Sequence, residues 1–417
     1  MSQDDLKRAY HTLGADHFPE RMEIAFVAGG ERTVLIYEKV SWVVNGVRQG
    51  LRYGENPGQE AALYRLINGN LTLGQVETIA PGRYLISDLE LLQSGKHPGK
   101  INLTDADNAL NILRYLTDRP AAAIMKHNNP SGVALGDSLE EAYIKADLAD
   151  HVAAFGGCIA LNRAVDVAAA EAIASRYAEV VVAPEYETGS LAILARRKNL
   201  RIMHVGNMAR LSEFASQRFV DFKSLIDGGV IAQLSYLPRV RSRDDFRPAE
   251  ATHQGQIYRV EREPTESEYE DLLFGWLVEA GVTSNSVLYV KDLVTVGIGA
   301  GEQDRVGVAE IARDKAYRKM ADRLAFERHG LIWSALQDES QRRQIQEEVA
   351  EQHGGLVGAV MVSDGFFPFR DGLEVGLREG VSAVVQPGGS LNDYQAIKAC
   401  NEFGAAMVFT GQRSFKH

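Results

Sequence analysis

Cysteine is all but missing from this chain. Cys158 and Cys400 are the two among 417 residues, and neither lies in a pair or a Cys/His cluster. That usage fits a reducing cytoplasm and argues against structural zinc. Long apolar runs are missing too: nothing approaches the roughly 20 residues that a membrane span requires. The start, Met1-Ser2-Gln3-Asp4-Asp5, is acidic and polar, so it does not read as a secretory or mitochondrial signal. Basic charge is in deficit, 45 Lys and Arg against 56 Asp and Glu for a formal −11. A surface that tracks nucleic-acid phosphates needs a basic face, so general nucleic-acid binding is not expected. A small anionic substrate is still allowed, because a few arginines in one pocket suffice whatever the total charge. Among catalytic motifs, the chain has no Gly-x-x-x-x-Gly-Lys-Ser/Thr phosphate loop and no Gly-x-Ser-x-Gly elbow. It also lacks the His-x-Glu and Pro-Cys-x-x-Cys of a zinc deaminase.

What is present is ordinary globular composition, 45% hydrophobic and 24% charged, in a chain long enough for two or three sizeable cores. Residues 1–45 read as a lead-in, a short helix followed by strands at Met22 to Ala28 and Thr33 to Glu38. Apolar β-branched runs then alternate with helical stretches, the pattern of an α/β architecture. Thr104 ahead of Asp107 suggests a capping box, with Leu110, Leu113 and Leu116 as the helical stripe behind it. A weak repeat follows. Ala154-Phe155-Gly156-Gly157 opens a strand, Asp166 starts an alanine-rich helix, and Val180 to Ala183 is a buried strand. Ser190-Leu191 opens a second helix, and Arg201 to Val205 is a strand. The same order recurs from Asp364 through a helix at Leu373 to Glu379, a strand at Val384-Val385-Gln386, a helix from Ser390-Leu391 and a strand at Ala405 to Thr410. Two related α/β units are expected, 46–225 and 226–417. Between the repeats, Ala309 to Glu351 is charged and helical and reads as a solvent-exposed insertion.

Two segments carry the chemistry. Lys126-His127-Asn128-Asn129-Pro130-Ser131-Gly132 follows an apolar run, and its Pro-Ser-Gly reads as a turn that leaves Lys126 and His127 at the mouth of a sheet. Histidine titrates near neutrality and can take a proton from a weakly acidic nucleophile, while a neighbouring lysine can stabilise charge developing on a carbonyl oxygen. A Lys-His pair alone would be ordinary solvated loop. Ser363-Asp364-Gly365-Phe366-Phe367-Pro368-Phe369-Arg370-Asp371 sets rings, an arginine and an acid in one turn, a poor exposed loop unless something flat and charged binds there. Arg52-Tyr53-Gly54 opens a glycine/proline loop in which Arg52 could clamp phosphate. Gly297-Ile298-Gly299-Ala300-Gly301 has the wrong spacing for a dinucleotide fingerprint. It reads as a turn delivering Arg305 to an anion. Asn285 begins the preceding strand and could orient an amide or a carbonyl. The apolar strand before Arg413 and His417 suggests an anchored tail rather than a frayed one.

Taken together, Leu51 to Gln59, Lys126 to Gly132, Ala154 to Gly157, Ser284 to Val287, Gly297 to Arg305, Ser363 to Asp371 and Arg413 to His417 stand in the order of a known family. The chain resembles AICAR transformylase, the formyltransferase part of the bifunctional purine-biosynthesis protein that also carries IMP cyclohydrolase, over residues 50–417. The resemblance implies two cytidine-deaminase-like α/β/α units without zinc, and a homodimer whose active sites take residues from both subunits. It implies formyl transfer from 10-formyltetrahydrofolate, the cosubstrate, to the 5-amino group of AICAR. No metal is required, and whether a monovalent cation is bound stays open. It gives Lys126, His127 and Asn285 as catalytic. It gives Arg52, Tyr53, Gly156, Glu179, Arg305, Phe366 and Arg413 as AICAR contacts, and Phe155, Pro368, Phe369 and Asp371 as the folate pocket. Gly58 and Thr283 depart from the family, which often has histidine and lysine there. The cyclohydrolase precedes the Arg-Tyr-Gly motif in bifunctional members, and nothing ahead of Arg52 resembles it, so a stand-alone cytoplasmic transformylase is expected. The alternatives are a cyclohydrolase acting on FAICAR, or a non-catalytic module that senses AICAR or folate.

Overall fold

The computed structural model describes residues 16–56, 59–68, 72–73, 76–77 and 82–417. The short helix expected ahead of Met22 falls largely outside this set, as does Gly58. The chain divides into two compact units. The first takes residues up to Leu110 and Cys158–Leu237, the second Asn111–Gly157 and Pro238–His417. This is not a cut near residue 225, and the reason is hydrogen bonding. The hairpin of Ala121–Lys126 and Asn129–Leu135 pairs Ala134 with Val294. The Leu135 amide donates to the Leu293 carbonyl, and the Val133 amide to Thr295 Oγ1. The hairpin therefore belongs with the C-terminal half.

In the first unit, Arg21–Ala28 pairs antiparallel along its whole length with Glu31–Val40, from Arg21 opposite Glu38 to Ala28 opposite Glu31. Gly29 and Gly30, both at positive φ, make the two-residue turn, a geometry glycine adopts without penalty. A separate sheet sets Cys158–Leu161, Val180–Ala183 and Arg201–His204 parallel, with Glu90–Gln93 antiparallel at the edge. Cys158–Leu161 and Val180–Ala183 are buried throughout, as their unbroken apolar runs require. The helix Lys100–Leu113 begins earlier than the Thr104/Asp107 pattern suggests. Pro98-Gly99 is the break, and the Asn102 side chain accepts from the Gly99 amide at 3.1 Å. Thr104 is interior and returns its hydroxyl to the Ile101 carbonyl at 3.1 Å.

The second unit is built on strands in the order Arg247–Pro248, Ala406–Phe409, Ala383–Gln386, Val360–Ser363, Val287–Lys291, Val294–Gly299, Asn129–Leu135 and Ala121–Lys126. Ala406–Phe409, Ala383–Gln386 and Val360–Ser363 run parallel and the other pairs antiparallel. The helices Arg370–Leu377 and Asp393–Phe403 connect the parallel strands. With helices at Val167–Ala174 and Ser190–Leu194, the strand–helix–strand–helix–strand order of Cys158–His204 recurs in Val360–Phe409 with the same parallel sense. Helix boundaries differ from expectation: the first runs Arg370–Leu377 rather than Leu373 to Glu379, and the last starts at Asp393, not Ser390. The Asp393 carboxylate accepts from the Gly389 and Ser390 amides at 2.7 and 3.0 Å, which holds those residues in a turn. Among the described residues no helix is long and apolar enough to cross a membrane, and no group of three or more His, Cys, Asp or Glu is placed to hold a metal.

The charged helical stretch is not a solvent-exposed insertion. Arg305–His329 is one helix, capped by Asp304 on the Gly307 amide and closed by Gly330 at positive φ. It buries Val308, Ala309, Ala312 and Ala316 in a core with Tyr289, Met361, Phe367 and Leu373. Gly297 and Gly299 let it approach. They lie inside the strand Val294–Gly299, not in a turn, and a Cβ there would meet the Ala312 and Val308 carbonyl oxygens at 2.3 Å each. Gly299→Ala is expected to destabilise the protein by about 1–3 kcal/mol through overpacking, read as a lowered midpoint in urea with an unchanged slope.

Candidate active site

The strand Ala121–Lys126 is buried up to Met125 and surfaces at Lys126. His127 and Asn128 then form the two-residue turn of the hairpin, at φ +52° and +62°. Pro130-Ser131-Gly132 is not a turn: it lies in the returning strand, where the register shifts between Pro130 and Gly132. Asparagine tolerates the left-handed region. Histidine there costs about 1 kcal/mol or more, and such strain persists only where the surroundings impose it. Lys416 imposes part of it, donating from Nζ to the Asn128 carbonyl at 3.0 Å and to that of Gly281 at 3.1 Å. The His127 ring is exposed and bonds to none of the described residues. Lys126 Nζ donates to the carbonyls of Phe155 and Gly156 at 3.0 and 3.1 Å, so the hairpin and the Phe155 turn form one piece.

Asn285 is tied to that piece. The Asn129 side chain accepts from the Thr283 amide at 2.9 Å. Ser284 exchanges two bonds with Lys416, its amide donating to the Lys416 carbonyl at 2.9 Å and its Oγ accepting from the Lys416 amide at 3.2 Å. The Asn285 carboxamide donates to the Gln303 carbonyl at 3.0 Å and accepts from Arg305 Nη2 at 2.8 Å. Arg305 also donates to the Ser286 carbonyl, to Ser363 Oγ and to the carboxylate of Asp364. Asp364 is wholly buried and takes the Ser284 hydroxyl on its other oxygen. Gly365 makes room, since a Cβ there would meet Arg305 Nη2 at 2.6 Å. Behind this group Glu279, also wholly buried, hydrogen-bonds Ser286 Oγ and has no partner on Oε2. Burial, with the Asp364 charge adding to it, holds the Glu279 carboxyl well above the usual carboxylate range. That environment favours its neutral form.

The C-terminal tail is held in place. The Ser414 amide donates to the Asp364 carbonyl at 3.0 Å, and the Arg413 guanidinium stands 4.9 Å from the Phe366 ring centre. Phe366 and Arg413 line a cavity of about 970 Å3 with Arg247, His253, Gly388 and Asp393. Neither Arg247 nor Arg413 is paired with a carboxylate among the described residues. Two unneutralised guanidinium groups and an aromatic face suit an anionic ligand that carries a ring. Pro368, Phe369 and Asp371 are exposed on the same loop and helix start, and Asp371 accepts from the Gly372 amide at 2.8 Å. Arg370 does not await a ligand: Glu374 and Glu402 both pair with it.

Arg52, Tyr53 and Glu179 lie in the first unit. Arg52 donates to Tyr53 Oη at 2.9 Å with its guanidinium carbon 4.4 Å from that ring. Glu179 pairs at 3.3 Å with Arg201, which is buried in its strand and also feels the charge of Arg52. Sequence reasoning missed Arg201, although a cation opening an apolar strand was the signal. It also left Asp364, Glu279 and Lys416 unassigned. Glu279 stands out in retrospect as an acid closing the apolar Leu277-Val278.

The profile of a family described as the AICARFT/IMPCHase bienzyme matches residues 24–315 of this sequence. The chain belongs to that family. It is 39% identical over 374 residues to the bifunctional purine biosynthesis protein PurH of Magnetococcus marinus, an alignment taking in 88% of this chain and 59% of the relative. It is 37% identical over 369 residues to the proteins of the same name from Aquifex aeolicus and Nostoc punctiforme, with the same 88% and 59% coverage. The chain therefore spans about three fifths of the curated relatives it matches. In this AICARFT/IMPCHase member the matched span holds Lys126, His127, Asn285 and Arg305. The Phe366 loop and the tail lie beyond the profile and inside the second unit.

The buried acid makes a test of this geometry. A carboxyl whose folded-state value is raised favours folding below its unfolded value, 4.5 here, and loses that contribution as pH rises toward the folded value. Glu279→Gln is thus expected to melt above the parent at pH 7–8, with the gap closing as pH falls toward 4.5. Calorimetric melting across that range measures it, and a constant gap would show Glu279 to be ionised in the fold.

Proposed function

We propose that this chain transfers the formyl group of 10-formyltetrahydrofolate to the 5-amino group of AICAR, giving FAICAR and tetrahydrofolate, as a step of purine biosynthesis. Family membership and the relatives' names support the pathway. The observation that carries the reaction is the bonded unit of Lys126–His127, Asn285 and the tail: an exposed imidazole, an ammonium and a fixed carboxamide held together through Asn129 and Lys416.

The amine of an aminoimidazole carboxamide is a weak nucleophile, so it needs orientation, proton removal and oxyanion stabilisation together. As it attacks the formyl carbon, a nitrogen–carbon bond forms and the carbonyl becomes an oxyanion. His127 takes the amine proton, and Lys126 stabilises the oxyanion. Collapse breaks the bond between the formyl carbon and N10 of the folate, and N10 recovers a proton from the His127/Lys126 pair. Asn285 orients the reacting groups. We assign Arg305 to holding Asn285, because its donors go to Asn285, Ser286, Ser363 and Asp364. Arg413, joined by Arg247, is proposed for the nucleotide's phosphate or carboxamide, with Phe366 and Gly156 beside its ring. Arg52, Tyr53 and Glu179 are proposed as nucleotide contacts of the first unit. Phe155, Pro368 and Phe369 offer faces to a pteridine, and Asp371 can accept from its amino groups.

The test is a spectrophotometric assay of the purified chain with AICAR and 10-formyltetrahydrofolate, following tetrahydrofolate release. His127→Ala should lower kcat by about 10²- to 10⁴-fold, the contribution of one general base. AICAR affinity by calorimetry should stay within a few fold. A variant of near-parental rate would remove the base assignment, and conversion of added FAICAR to IMP without formyl transfer would favour ring closure instead.

A further inference from the structure

A second cavity of about 160 Å3 lies in the same unit, reaching from Lys126 to Lys315 and Lys319, which nothing above uses. Its lining includes Lys126, Lys315 and Lys319, the carboxylate of Asp150, the Ser131 side chain and the apolar Ile298. Three ammonium groups face one carboxylate there. Lys315 and Lys319 are one helical turn apart on Arg305–His329, a like-charge spacing that disfavours the helix. Lys319 is neutralised, its Nζ 2.9 Å from Asp150 Oδ1 and 3.6 Å from Asp322 Oδ2. Asp150 is committed further, since the same Oδ1 caps the next short helix by accepting from the Ala153 amide at 2.9 Å. Lys126 donates to Phe155 and Gly156. Lys315 alone makes neither a hydrogen bond nor an ion pair among the described residues, and burial pulls its ammonium below the usual lysine range. A half-buried ammonium without an acceptor, beside a cavity larger than a water, is a cost that a ligand would offset.

We infer that this cavity binds a carboxylate carried on a short aliphatic stem, with Lys315 as the group that recognises it. The oxyanion supplies the acceptor Lys315 lacks, and the walls beside Ala149, Ala153 and Ile298 suit methylenes. Two sources share that chemistry: the glutamyl tail of a reduced folate, or a free dicarboxylate. The first rests on the formyl-transfer reading. Binding is measured here without turnover, so the cavity and that reading fail separately.

The experiment titrates the purified chain with p-aminobenzoyl-tri-γ-glutamate and, separately, with glutarate, by calorimetry and by melting temperature. Saturable binding is expected, weakened about tenfold or more in Lys315→Met, as the loss of one hydrogen bond to a charged group implies. Tighter binding of the triglutamate identifies the folate tail as the source, and equal binding identifies a free dicarboxylate. Without ligand, Lys315→Met and Lys315→Gln should melt at or above the parent, because each removes an unpaired charge. Absence of binding by both probes, equal binding by parent and variants, or a lower unliganded melting temperature in both variants would each overturn the inference.

Discussion

The pairing of Arg305 with Asp364 is the interaction on which the rest of the second unit's chemistry depends. Asp364 is wholly buried and the Arg305 side chain is 9% exposed. Removing one partner of such a pair strands a charge in a poor solvent and costs about 3–5 kcal/mol, whereas the intact pair adds little net stability. Its value is therefore positional. One guanidinium reaches Asn285 and the end of the strand Val360–Ser363. One carboxylate reaches Ser284, and its own backbone carbonyl receives the tail at Ser414. Three stretches far apart in sequence are thereby brought to one register. Glu279 behind Ser286 completes the group, and burial beside Asp364 favours its neutral form.

Against that rigid base, the hairpin of His127 and Asn128 is a small strained projection. Its backbone lies where side-chain-bearing residues are uncommon, and Lys416 grips it from the tail. The turn lifts the His127 ring clear of the sheet, uncaptured by any carboxylate among the described residues, while Lys126, one residue earlier, is tethered by two carbonyls. Adjacent residues of opposite exposure follow directly from the strand ending at Lys126.

Much of this was legible in the sequence, and the failures have physical causes. The alternation of apolar runs and helices located the strands of the repeat, because fully buried strands leave no polar face to confuse the period. The sequence singled out the segments around Lys126, Asn285, Phe366 and Arg413, and the anchored tail it suggested is seen. Misreadings came where a local signal competed with tertiary packing. Glycine at 297 and 299 looked like turn chemistry but serves the close approach of a helix. Charge along Ala309 to Glu351 hid the alanine stripe that faces the core. Pro130-Ser131-Gly132 looked like the turn, while the actual turn fell on two residues whose types do not demand positive φ. Ion pairs between separate segments, the buried Arg305 with Asp364 and the buried Arg201 with the more exposed Glu179, leave no periodic trace at all.

Charge distribution joins these observations. The chain is acidic overall, yet Lys126, Lys315 and Lys319 face one cavity and Arg247 and Arg413 another within the second unit. A field of this kind is local: ionic strength screens the distant acidic surface beyond roughly 8–10 Å, while groups at the cavity wall act at full strength. A net charge of −11 is therefore no guide to these two walls: the sum over the chain is negative, while three lysines face one carboxylate in the one cavity and two arginines line the other.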